Sequence, residues 1–244
     1  MRYYFLFFTL ISFYTSFSQI GKHANTITFY AIDSVLITAD TYFLNDIKPT
    51  VLLCHQAGFS RGEYIETARK INKLGFSCMS IDQRSGKEVN GIVNQTAIDA
   101  NSKFMNVGYA GAKRDLEASI DYLYELNGNK PIILVGSSYS ASLALWLGSE
   151  NKKIKAVVAF SPGEYLKNMN LADTIKHLQI PTFVTSSKRE IVSVKKLMRF
   201  VNPNYVIHFK PDMLGIHGSR AIWDSTEGHE AYWSAFKEFL IHNK

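Results

Sequence analysis

Apolar and polar positions alternate over residues 26–29 and 35–39, which is the two-residue period of a half-buried strand. Asp33-Ser34 supplies a turn between them. From Pro49 the pattern changes: Val51-Leu52-Leu53-Cys54 is continuously apolar and runs into His55, as expected of a strand covered on both faces. Ser60 and Glu63 form an S-x-x-E capping box ahead of a helix with Tyr64, Ala68, Ile71 and Leu74 on its inward face and Gly75 as its stop. Phe76 to Ile81 is the next apolar strand, ending at Asp82. Residues 83–109 are mixed and polar and read as a loop with one short helix. Ala112, Leu116, Ile120 and Leu123 then repeat at helical spacing. Strand patterns follow at 131–135, 154–160, 180–185 and 205–209, and Trp233, Phe236, Phe239 and Leu240 mark a closing helix over 230–242.

Strands alternating with helices predict an α/β fold: a three-layer α/β/α sandwich with a mostly parallel, doubly wound sheet, opened by an antiparallel hairpin. Only about twenty residues separate Phe160 from Ile180, too few for a large cap domain. The expected partial lid is therefore 83–109. In such sheets ligands sit at the carboxyl ends of the strands, so any chemistry is expected there.

Composition changes this picture little. The 244 residues carry 46% hydrophobic and 20% charged side chains, which suits one globular domain. The net charge of +6 is scattered, with Lys152-Lys153, Lys188-Arg189 and Lys195-Lys196 as the densest groups. That argues for a solvated surface and against nucleic-acid binding. The N-terminus stands apart. Arg2, the apolar run from Tyr3 to Tyr14 and the small residues Ser16 and Ser18 have the layout of a secretory signal. The expectation is a signal peptide over 1–18, a mature domain over 19–244, export to the periplasm or the exterior, and no stable membrane anchor, because the run is short and hydroxyl-bearing. Cys54 and Cys78 each lie in an apolar strand and are expected to be buried free thiols. Two cysteines make neither a disulfide scaffold nor a metal site.

Gly136-Ser137-Ser138-Tyr139-Ser140 follows the apolar run 131–135 and precedes the helix-like Ala141 to Leu147. It is G-x-S-x-G with Ser140 in place of the last glycine. A strand, a tight turn of small residues and a helix can force a serine onto a sharp corner at a helix N-terminus, where backbone N–H groups point outward. Ser138 has a glycine two residues before it and a small residue two after. Ser137 and Ser140 are alternatives by residue type alone, and a plain serine-rich helix cap is the alternative to any chemistry.

Together with His55-Gln56-Ala57-Gly58 after a strand and Gly215-Ile216-His217-Gly218 near the end, this turn resembles the α/β-hydrolase fold family, in particular its compact esterases and dienelactone-hydrolase-like members. The likeness runs from Thr26 to the last helix. It implies a triad in the order serine, acid, histidine: Ser138 as nucleophile, His217 as base, and an acid after the strand 181–185, where Glu190 is the only carboxylate of the loop. Glu164, in the loop after 157–160, is the other place for the acid. The implied oxyanion hole is the backbone N–H of Tyr139 and that of Gln56. His55 reads as a loop-shaping residue held by hydrogen bonds. Asp82-Gln83-Arg84-Ser85-Gly86 resembles the family's D-x-R-x-G turn, with Arg84 pairing a carboxylate. Arg61 reads as a surface arginine at a helix start, with contact to an anionic substrate as the alternative. His208, His229 and His242 read as non-catalytic. The activity implied is hydrolysis of a carboxylic ester, lactone or thioester of small-molecule size through an acyl-enzyme, with no cofactor and no metal. A peptidase or acyltransferase would use the same parts. Ser140 and Glu190, both departures from the family pattern, motivate a reading of another class, a non-catalytic binding protein.

Overall fold

The computed structural model describes residues 24–44 and 49–244; the segment 1–18, expected to be a signal peptide, lies outside them. β1 (Asn25–Tyr30) and β2 (Leu36–Tyr42) form the expected antiparallel hairpin, turned at Ser34 with φ +65°. β3 (Thr50–Cys54), α1 (Ile65–Lys73) and β4 (Ser77–Ile81) make the first strand–helix–strand unit. After a small hairpin of β5 (Glu88–Val89) and β6 (Ile92–Val93) come α2 (Gln95–Ser102), α3 (Lys113–Leu126), β7 (Ile132–Ser137), α4 (Tyr139–Glu150) and β8 (Ile154–Phe160). The chain ends with α5 (Leu171–Thr174), β9 (Thr182–Thr185), α6 (Ile191–Leu197), β10 (Val206–His208) and α7 (His229–His242).

The main sheet has eight strands in the order β1-β2-β4-β3-β7-β8-β9-β10. From β4 to β10 every pairing is parallel; β2 joins β4 antiparallel. The two-residue side-chain period divides the apolar strands between two cores. Leu52, Cys54, Ile132 and Leu134 face the layer of α3 and α4, against Leu116, Ile120, Leu143 and Leu147. Val51, Leu53, Ile133 and Val135 face the other layer, against Ala68 and Ile71 of α1 and Phe236, Phe239 and Leu240 of α7. Cys54 belongs to the first core and Cys78 to the second; both are free, and burial pushes both thiols up.

Residues 83–109 are more structured than a loop with one helix. They contain the β5–β6 hairpin, which the polar pattern hid, and α2, whose Thr96 and Asp99 side chains accept the N–H groups of Thr38 and Leu36 beside β2. Both ends of the segment meet the serine turn: Gln83 Nε2–H donates to the Tyr139 hydroxyl at 2.8 Å, and Tyr109 stacks on Tyr139 with ring centroids 4.5 Å apart. Between β8 and β9 the chain forms α5 and a single 3₁₀ turn, so no large cap covers the sheet. Arg84 is fully buried and bonded to Asp115 and Asp33, each at 2.7 Å, and so pins the loop after β4. Arg61 is not a surface residue: it is buried and paired, 3.0 Å from Asp40 and 2.7 Å from Asp82. The crossover direction reverses between β3 and β7, and their carboxyl ends bring His55 and Ser138 to one edge.

Candidate active site

β7 ends at Ser137 and α4 begins at Tyr139, so one residue makes the whole turn. That residue is Ser138, with φ +59° and ψ −121°, a conformation an L-residue adopts only where its surroundings compel it. The small flanks have specific causes. A Cβ on Gly136 would strike the carbonyl of Ser140 and the backbone of Ala141. Ser140, the departure from the glycine pattern, is buried. Its Oγ accepts the Ser137 N–H at 2.8 Å and donates to the Cys54 carbonyl at 2.8 Å, fastening the turn to β3. Ser138 is 9% exposed at the N-terminus of α4, and among the described residues the Tyr139 N–H has no hydrogen-bond partner.

His217 Nδ1 lies 2.6 Å from Glu190 Oε1. That bond puts the ring hydrogen on Nδ1 and leaves Nε2 as an acceptor. The other Glu190 oxygen accepts Ser187 Oγ–H at 2.7 Å, Ser187 N–H at 3.1 Å and Ser161 Oγ–H at 2.9 Å. Burial alone would raise the Glu190 pKa, but the hydrogen bonds from His217, Ser187 and Ser161 and the His217 charge outweigh it and hold the carboxyl down to about 2. Ser161, just past β8 at φ +52°, also accepts the Gly218 N–H at 2.9 Å, and Ser137 Oγ accepts the Ser219 N–H at 2.9 Å. The histidine loop is thus tied to the ends of both β7 and β8. A Cβ on Gly218, at φ +77°, would collide with Gln56 and Ser137. Glu164 takes no part: its oxygens accept the N–H groups of Leu171 and Ala172 at 2.7 and 3.2 Å and cap α5.

The loop after β3 departs from expectation. His55 is loop-shaping as read: Nδ1 bonds the Gln56 carbonyl at 2.7 Å, Nε2 accepts the Gln83 N–H at 2.9 Å, and burial lowers its pKa to about 4. The Gln56 N–H, however, is not free for an oxyanion. It points into the fold and donates to Glu63 Oε2 at 2.7 Å. Glu63 does not close the capping box with Ser60. Ser60 Oγ accepts the Gly62 N–H, while the Glu63 side chain turns inward to Gln56 and to Ser219 Oγ. One residue further along, the Ala57 N–H has no partner among the described residues. Tyr165 stands beside the nucleophile: burial and the Glu190 charge push its phenol up, and a hydrogen bond with Ser138 pulls it down.

Sequence reasoning missed Ser161, Ser187, Glu63, Ser219 and Tyr165. Ser187-Lys188-Arg189-Glu190 is itself an S-x-x-E box, a signal that would have linked Ser187 to the acid. Ser161 had only its place at a strand end. Among the described residues no group of three or more His, Cys, Asp or Glu side chains could hold a metal ion, and no helix is long and apolar enough to cross a membrane.

A doubly wound sheet with a serine on a left-handed strand-to-helix corner, and an acid and histidine paired on the next loops, is the α/β-hydrolase architecture, and this protein is a hydrolase of that type. A profile of the family described as Serine aminopeptidase, S33 matches residues 45–218, and the chain belongs to that family. Solved structures of similar fold include an esterase, Pf2001, from Pyrococcus furiosus (19% identity, TM-score 0.66, covering 89% of this chain and 90% of that one). A dienelactone hydrolase from Anabaena variabilis is similar at 15% identity and TM-score 0.68, covering 90% and 97%. A carboxyl esterase from Bacillus coagulans is similar at 10% identity and TM-score 0.66, covering 91% and 98%. No curated protein sequence matches the chain.

Proposed function

We propose that the protein hydrolyses carboxylic esters of small molecules through an acyl-enzyme on Ser138. One observation carries the proposal: Glu190 holds His217 at 2.6 Å on a loop bonded to Ser137 and Ser161, which flank the nucleophile's corner. His217 Nε2 takes the Ser138 proton as Oγ forms a bond to the acyl carbon, and the carbonyl electron pair moves onto oxygen. The Tyr139 N–H donates to that oxyanion, and the Ala57 N–H takes the role first assigned to Gln56. The imidazolium, stabilised by the Glu190 carboxylate, protonates the departing alkoxide. Water then attacks the acyl carbon as His217 takes its proton; the bond to Oγ breaks, His217 returns the proton to Ser138 Oγ, and the carboxylic acid leaves.

A fluorophosphonate probe tests this directly. The wild type is expected to be labelled, and Ser138→Ala to be unlabelled with turnover of p-nitrophenyl acetate lowered by about 10⁵-fold or to background. A variant labelled as well as the wild type rules out Ser138. The family's description names an aminopeptidase, which favours a peptidase on the same residues as the second reading. Aminoacyl p-nitroanilides turned over faster than esters would support it.

A further inference from the structure

Glu63 is a fully buried carboxylate that the reaction above does not use. Each of its oxygens meets a different loop of the site. Oε2 accepts the Gln56 N–H at 2.7 Å, the residue before Ala57; Oε1 accepts Ser219 Oγ–H, two residues after His217. Ser219 in turn donates its N–H to Ser137 Oγ, beside the nucleophile. The Glu63 backbone is anchored as well, its carbonyl accepting Trp223 Nε1–H at 3.0 Å. We propose that Glu63 is a positioning residue for the reaction: its carboxylate clasps the loop carrying the Ala57 N–H to the loop carrying His217, and so fixes oxyanion donor and base relative to each other. This rests on the hydrolase reading given above.

The clasp is tightest with an ionised carboxyl. Oε2 faces the Gln56 N–H, a donor only, and a proton on Oε1 would reverse the Ser219 bond, so protonation turns both charge-assisted bonds of the clasp into weaker neutral ones. Burial pushes its pKa up to about 7, against hydrogen bonds from Ser219, Gln56 and Ser137 that lower it. The ionisable groups facing it are Arg220 from the histidine loop, Tyr64 on its own turn, Cys54 from β3 and Tyr139 from α4; His55, beside Gln56, is neutral. Arg220 supplies the only positive charge among these and favours the carboxylate. Below about pH 7 the clasp weakens and turnover falls.

The test is kcat and KM for p-nitrophenyl acetate between about pH 5 and 9, for the wild type, Glu63→Gln and Ser219→Ala, with Ser138→Ala as the blank. Glu63→Gln imitates the protonated acid. It is expected to lower kcat at alkaline pH by about ten- to a hundredfold with KM within about twofold, and to make the acid limb shallower than the wild type's. Ser219→Ala removes a bond that lowers the Glu63 pKa, so its acid limb moves to higher pH. That variant carries the test if Glu63→Gln fails to fold. An active wild type whose kcat and acid limb are unchanged in both variants overturns the clasp and leaves the hydrolase intact. A wild type that neither takes the probe nor turns over ester overturns both.

Discussion

At the scale of single residues, Ser140 shows that a departure from a motif can be a local solution. Its hydroxyl satisfies the buried Ser137 N–H and reaches across to the Cys54 carbonyl, which also accepts from Tyr64. Restoring the motif's glycine should therefore harm the protein. Ser140→Gly leaves the Ser137 N–H unpaired and adds a flexible residue to the first turn of α4, and is expected to cost about 1–3 kcal/mol, read as a lower urea midpoint. Glu190 poses the converse case, an acid whose extra methylene is accommodated. Glu190→Gln removes the charge and can present an amide N–H to Nδ1, so kcat is expected to fall about 10⁴-fold in an ester assay. Stability follows with a definite sign. The folded carboxyl is held at about 2 against an ordinary 4.5, so its contribution is full above pH 4.5 and is lost as the pH falls through 2. Melting temperatures of the wild type and Glu190→Gln should thus converge on acidification.

At the scale of elements, two S-x-x-E boxes met different fates. Ser187 and Glu190 close theirs, which delivers the acid to His217. Ser60 and Glu63 leave theirs open because the buried Gln56 N–H and the Ser219 hydroxyl have a stronger claim on the carboxylate. Local spacing read the helix start at Ser60 correctly, but it carries no information on partners far along the chain. The same limit hid the partner of the Gln56 N–H, which donates to Glu63 outside its loop. Ser138, His217 and Glu190 were legible because each has a local signal, namely small flanks, neighbouring glycines, or sole carboxylate of its loop. Ser161 and Tyr165 have none. The β5–β6 hairpin escaped because each strand is two residues long and neither faces a core.

For the whole molecule, the parallel sheet was legible because long apolar strands buried on both faces have few other uses. Its coverage was harder to read, since 83–109 packs beside β2 through side-chain bonds from Thr96 and Asp99 that no periodicity encodes. Arg84 is the clearest global tie: it joins the loop after β4 to α3 through Asp115 and to the first hairpin through Asp33. Arg84→Met strands the fully buried Asp115 charge and should cost about 3–5 kcal/mol in urea unfolding.

The division of the two cysteines between the cores turns the sheet into a partition with one sulfur on each side. Neither thiol meets solvent in the folded state. A thiol-reactive dye would therefore count openings, with Cys54 timing the departure of the α3–α4 layer and Cys78 that of the α1–α7 layer. The chain carries its own pair of clocks for asking which side of the sandwich comes apart first.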